Sequence, residues 1–144
     1  MSLPAAFWDS SAIIPLCVLQ PQTAQAKVHF KSYGIVVWWA TPVEIRSGLT
    51  RLLRMAQIGQ DQFLIGKRLA DDVANVWEMI HPSATVADRA CTLLEQYPLR
   101  STDSLQLAAA LEYFGQIRRG TAFVTADQRL AAAAARAGFT VEFL

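Results

Sequence analysis

Four acidic side chains stand at comparable positions along this chain, each at a junction where a strand-like apolar run gives way to a helix or in a helix's first turn. They are Asp9, Glu44, Asp103 and Asp127. In an open parallel sheet such junctions lie at the C-terminal edge, where ligands bind. Carboxylates gathered there repel one another unless a cation joins them, and Mg²⁺ or Mn²⁺ takes carboxylate and phosphate oxygens as ligands. The four residues therefore predict a site for metal-dependent phosphodiester cleavage.

Short apolar runs alternate with amphipathic segments throughout the chain, which predicts a parallel sheet flanked by helices. Strands are predicted at residues 5–9, 35–39, 77–80, 122–125 and 140–143. Helices are predicted at about 10–16, 23–33, 41–58, 61–75, 83–97, 101–114 and 127–137. The helix at 101–114 is the most apolar and is predicted to be central and buried.

Each acid also has a purely structural explanation. Asp9 and Asp127 could cap helices, and Asp103 could favour the positive end of a helix dipole. Glu44 could complete a capping box with Thr41, which is predicted to be an N-cap. Such caps stabilise a protein by about 1 kcal/mol. Most of the other acids lie inside predicted helices or strands, so the placement of these four at one predicted edge favours a shared site.

Composition narrows the function classes. The 144 residues predict one domain, and 53% hydrophobic against 17% charged residues predicts a well-filled core and an apolar face for a partner. A net charge of +1 cannot attract nucleic acid by bulk charge, so local arginines and a metal would have to do so. Ten of the thirteen cations are arginine, which favours bidentate pairing with phosphate.

Cysteine and histidine offer no second chemistry. Cys17 and Cys91 lie in apolar helical contexts and are predicted to be buried free thiols of a reducing compartment. His29 and His81 are isolated and are interpreted as surface or cap residues. There is no signal-peptide pattern, and no apolar run approaches the roughly 20 residues of a membrane span, so a cytoplasmic protein without membrane contact is predicted.

Four segments together resemble the PIN domain family, and within it the VapC-type toxins of toxin–antitoxin pairs. They are FWDSSA at 7–12, PVEIRSGL at 42–49, LRSTDSLQLAAA at 99–110 and FVTADQRL at 123–130. The resemblance covers nearly the whole chain, so residues 1–144 are interpreted as a single PIN-like domain. It implies a three-layer α/β/α sandwich with a parallel sheet of about five strands.

The resemblance also implies an activity, the cleavage of single-stranded RNA by an endoribonuclease that uses Mg²⁺, or alternatively Mn²⁺. The family's acidic quartet corresponds to the four acids named above, with Asp9, Asp103 and Asp127 as metal ligands. Its small hydroxyl residue corresponds to Ser10 or Thr125. VapC-type toxins usually dimerise and are silenced by an antitoxin whose tail fills a groove by the active site. RNA, a cognate antitoxin and a second copy of the chain are therefore the expected partners.

Gln106 departs from the family pattern, since such toxins often have His there. Arg46, Arg100 and Arg129 lie within a few residues of the acids and are predicted to hold flanking phosphates, although ordinary surface charge would also explain them. Two other functions stay open. A phospho-receiver domain would need a lysine near the end, and the lysines stand only at 27, 31 and 67. A catalytically silent RNA-binding or scaffold PIN-like module would keep the fold.

Overall fold

The computed structural model describes residues 2–144, in which five strands alternate with seven α-helices. The strands are β1 (Ala5–Trp8), β2 (Gly34–Trp38), β3 (Trp77–Ile80), β4 (Ala122–Thr125) and β5 (Thr140–Phe143). The helices are α1 (Ser10–Cys17), α2 (Thr23–Ser32), α3 (Thr41–Arg54), α4 (Gln60–Ala74), α5 (Ala84–Gln96), α6 (Ser101–Phe114) and α7 (Gln128–Ala137). A short 3₁₀ helix at Gly115–Arg118 follows α6.

All strand pairings are parallel, and the order across the sheet is β3-β2-β1-β4-β5. The central strand β1 pairs with β2 on one side and with β4 on the other. Parallel strands end at the same edge, so the residues that follow β1, β2 and β4 are neighbours. The α/β fold class, the parallel sheet and its five strands are confirmed.

Alternating side chains of the strands build two cores, one on each face of the sheet. Ala6, Trp8 and Val37 pack with the residues of α1, α3 and α4 on one face. Phe7 and Val36 pack with those of α5, α6 and α7 on the other. Helix α6 is buried along Leu107–Ala110, as its apolar sequence predicts. No helix in the described part of the chain is long and apolar enough to cross a membrane.

Three residue-level predictions were wrong. Helix α3 begins at Thr41 with Ala40 in the N-cap position, and the buried Thr41 hydroxyl has no hydrogen-bond partner, so no capping box with Glu44 forms. Cys91 is exposed, because it lies on the solvent side of α5, whereas Cys17 is buried as predicted. His29 is buried, since α2 turns it toward β5, where its Nε2 lies 3.8 Å from a Glu142 carboxylate oxygen.

Candidate active site

Asp9 is the most buried of the four acids and lies at the centre of the sheet edge. It directly follows β1, and its backbone N–H donates to the Val124 carbonyl of β4 at 3.0 Å. Three hydroxyls donate to its carboxylate: Ser10 at 3.4 Å, Ser11, and Thr125 at 2.9 Å. Asp9 is therefore held by the first turn of α1 and by the end of β4 together.

Burial raises the pKa of Asp9 above its ordinary value, and the negative charge of Asp127 adds to this effect. The hydrogen bonds from Ser11 and Thr125 oppose it, because they favour the ionised form. Hydrogen bonds thus hold the carboxylate in place. Its ionisation is nevertheless unfavourable in the absence of a cation. A nearby positive ion would relieve that cost.

Glu44 reaches the same edge from the first turn of α3 and is half-buried. The Gln106 side-chain amide of α6 donates a hydrogen bond to one of its oxygens. Burial raises the pKa of Glu44 to about 7, and the charge of Asp9 contributes to the increase, while the hydrogen bond from Gln106 opposes it. At neutral pH, Glu44 is therefore present in both its protonated and its ionised form.

Asp103 lies in the first turn of α6 and lines two cavities. It shares a cavity of about 410 Å³ with Asp9 and Glu44. A second cavity, of about 420 Å³, contains Asp103 and Asp127. Burial raises the pKa of Asp103, and the charges of Asp127 and Asp9 raise it further. The charges of Asp9, Asp103 and Asp127 thus raise the pKa values of neighbouring acids, although the four side chains are divided between two adjoining cavities.

Asp127 has the capping role that the sequence left open. It is the N-cap of α7, and its side chain accepts a hydrogen bond from the Leu130 N–H at 3.0 Å. Its own backbone N–H donates to the Thr125 hydroxyl at 3.0 Å, which links it to the group of hydroxyls around Asp9. The cap and a functional role are compatible, because one carboxylate offers more acceptor positions than the cap uses.

The donor set can be tested for its fit to a metal. Within residues 2–144, no three His, Cys, Asp or Glu side chains converge closely enough to hold one ion together. The candidate donors are all oxygens, and burial and mutual repulsion raise the pKa of Asp9, Glu44 and Asp103. Mg²⁺ is typically bound through one or two carboxylates with waters filling the remaining positions. The residues fit a hard divalent cation of this kind.

The three predicted phosphate-binding arginines lie on two sides of the acids. Arg100 and Arg129 line the second cavity together with Asp103 and Asp127. Arg46 lies on the exposed outer face of α3, in a different neighbouring cavity. None of the three forms an ion pair within the described chain.

Sequence reasoning missed two residues of the site, Ser11 and Arg51, and did not predict the contact that Gln106 makes. Ser11 donates to Asp9 and accepts the Ala126 N–H at 2.9 Å, although only Ser10 and Thr125 had been considered for that hydroxyl role. Gln106 contacts Glu44, and Arg51 lines the acidic cavity. Helical spacing was the available signal, because Gln106 is three residues after Asp103 and Arg51 is seven after Glu44.

The sequence model of the PIN domain family matches residues 6–136 of this chain. A toxin–antitoxin complex from Klebsiella pneumoniae contains a chain with the same fold, at 17% identity and a TM-score of 0.65, with coverage of 88% of this chain and 91% of that one. VapC20 of Mycobacterium tuberculosis, described as a sarcin–ricin loop-cleaving toxin, shares 18% identity with a TM-score of 0.66, covering 94% and 97%.

A third similar structure is FitAcB from Neisseria gonorrhoeae, with 17% identity, a TM-score of 0.64 and coverage of 96% of both chains. Identities this low demonstrate a common fold. No curated protein sequence gives a significant match to this chain.

Proposed function

Because this chain belongs to the PIN domain family, we propose that it is a metal-dependent endoribonuclease acting on single-stranded RNA. The observation that carries the proposal is that four carboxyl groups line two cavities, both containing Asp103, at the C-terminal edge of the sheet. Three of them, Asp9, Glu44 and Asp103, have raised pKa values that arise first from burial and then from one another's or Asp127's charge. Residues that only cap helices would not have to lie close enough together to repel one another.

Each acid has a proposed role. Asp9, Asp103 and Asp127 hold Mg²⁺ or Mn²⁺, at least one of them through water, because no three carboxylates of residues 2–144 converge on one point. The hydroxyls around Asp9 fix its orientation. When bound, such an ion supplies positive charge beside the scissile phosphate and makes water a better nucleophile. Glu44, with a pKa of about 7, orients the attacking water and can accept its proton at neutral pH.

The residues around the acids complete the proposed site. Gln106 keeps Glu44 in place through its amide hydrogen bond. Arg100 and Arg129 hold a phosphate next to the acids in the second cavity. A carboxyl group with a raised pKa beside a cavity of about 410 Å³ is typical of catalytic sites, so Glu44 favours an enzyme over a catalytically silent module.

We propose further that the chain is the toxin of a toxin–antitoxin pair, forms a homodimer and is silenced by an antitoxin protein. Two of the similar structures are a toxin–antitoxin complex and a toxin, which supports the proposal. A contiguous apolar surface supports a protein partner as well, since Leu16, Phe30, Leu69 and Val76 line one open cavity of about 260 Å³. Light scattering of the purified protein would test the dimer.

Cleavage of a mixed pool of single-stranded RNA tests the activity. The purified protein is incubated with Mg²⁺, with Mn²⁺ and with a chelator, beside Asp103→Asn and the control Asp88→Asn on the exposed face of α5. We expect metal-dependent cuts from the parent and from the control, and none from Asp103→Asn. Cleavage that persists in chelator or in Asp103→Asn would contradict the mechanism, and a parent that neither binds metal nor cuts RNA would favour the silent module.

A further inference from the structure

We propose, building on the function above, that the outer face of α3 is a track for the RNA strand on one side of the cleavage point. Its phosphate-binding residues are Arg46, Arg51 and Arg54. On that side the substrate would leave the acidic cavity along α3.

The cavities on this side of the molecule adjoin one another. The acidic cavity of about 410 Å³ includes Arg51, Val43 and Ser47. A larger neighbouring cavity, of about 490 Å³, shares Val43 and Ser47 with it and extends to Arg46 and Arg54. Residues 43, 47, 50 and 54 follow helical spacing, so they form a stripe that rises about 16 Å along the helix. That length accommodates more than one nucleotide.

Arg46, Arg51 and Arg54 form no ion pair with a carboxylate of the described residues. The ion pairs found among residues 2–144 are Arg89–Glu112 and His29–Glu142, neither of which involves α3. Three like charges within nine residues of one helix repel one another, an effect that a bound anion reverses. The helix dipole favours cations in the last turn, where Arg51 and Arg54 lie. It does not account for Arg46, which lies in the second turn.

The charges on the other side of the acidic cavity are different. Arg100 and Arg129 share their cavity with Asp103 and Asp127, so cations and carboxylates are equal in number there. The cavity on α3 contains Arg46 and Arg54 and no carboxylate. A phosphate chain is therefore attracted to the α3 side, even though Asp71 lines a further cavity with Arg46 and Arg51 belongs to the acidic cavity. Val43, which is 70% exposed, adds an apolar surface between the acids and the track.

Binding of a single-stranded RNA of about 12 nucleotides and mixed sequence tests the track. Fluorescence anisotropy is measured at several salt concentrations in the Asp9→Asn background, which prevents cleavage. We expect Arg46→Gln/Arg54→Gln to bind about tenfold more weakly. We also expect the slope of log affinity against log salt to be shallower by about 1.4, because each contact to a single-strand phosphate contributes about 0.7. The control, Lys31→Gln/Arg119→Gln, removes two exposed cations at the opposite edge of the sheet and should bind within about twofold of the parent.

Cleavage kinetics of proteins with Asp9 intact distinguish a defect in RNA binding from a defect in catalysis. For the long RNA we expect the double α3 variant to have a raised KM and a kcat within about twofold of the parent's. Unchanged affinity, salt slope and KM would overturn the track and assign the α3 arginines to another ligand, such as an acidic peptide of a protein partner. A parent that neither binds nor cuts any RNA would instead overturn the proposed function itself.

Discussion

Replacing Glu44 by glutamine should stabilise the metal-free protein at alkaline pH. In the folded chain the pKa of Glu44 is about 7, against an ordinary value of 4.5, because the carboxyl group is desolvated and lies near Asp9. Between these two values the folded state keeps a proton that the unfolded state has released. The contribution of Glu44 to stability is therefore fully present below pH 4.5 and is lost as pH rises through about 7. Glutamine keeps the acceptor oxygen for the Gln106 amide but cannot ionise.

The size of the effect follows from the same two values. The interval from 4.5 to about 7 corresponds to at most about 3 kcal/mol. Solvent screening of a half-buried carboxylate reduces this to about 1–2 kcal/mol. At pH 8 in chelator, Glu44→Gln should therefore be more stable than the parent by that amount, or by about 3–7 °C in Tm for a chain of this size. At pH 4.5 the two proteins should have nearly equal stability.

Urea unfolding across this pH range provides the assay. Glu95→Gln makes the same charge change at an exposed position of α5 that lines neither cavity of the acids, and it should follow the parent. Excess Mg²⁺ at pH 8 should stabilise both proteins, because an ion that binds the folded state stabilises it. It should also narrow their difference, because a cation near Asp9 favours the ionised Glu44 of the parent, and glutamine carries no charge. A variant that is less stable than the parent at pH 8, or a difference that is independent of pH, would refute the reasoning.

Three further predictions follow from the acids and the thiols. Asp9→Asn should lose RNA cleavage but keep the parent's circular dichroism spectrum, and cleavage at the parental rate would contradict the proposed role of Asp9. Mn²⁺ affinity measured by calorimetry should rise from pH 5 to pH 8, because carboxyl groups with raised pKa values release protons on binding metal; a pH-independent affinity would argue against these ligands. A thiol reagent should label exposed Cys91 and spare Cys17, whose pKa burial raises to about 12, as counted by mass spectrometry. Equal labelling of both thiols would contradict that burial.

Much of the fold could be predicted because its signals are local. Each strand is a short apolar run, and several helix ends carry a residue that stops or starts a helix, such as Ser83 or Gly138. The predictions of the family and of the parallel sheet also rest on local sequence signals, and both were confirmed. Thr41 shows the limit of local signals. Its sequence context is that of an N-cap, yet the chain enters α3 one residue earlier and buries its hydroxyl.

Burial of single residues was less predictable, since it depends on which helix face meets the sheet. Cys91 has apolar neighbours in sequence but faces solvent, whereas His29 is buried because α2 packs it beside Glu142 and Tyr33. Neither outcome follows from neighbouring residues alone. The docking of one element against another decides both.

By itself, the sequence determined the identity of the four acids and the edge at which they would lie, since a parallel alternation of strands and helices places all such junctions together. Only the tertiary structure decided their partners and their division between two cavities. Gln106 of α6 donates to Glu44 of α3, Ser11 of α1 accepts from the Ala126 N–H beyond β4, and Arg51 joins the acidic cavity through the orientation of α3. Such contacts depend on distances between side chains from separate elements, which are set by the packing of helices onto the sheet and cannot be read from sequence spacing alone.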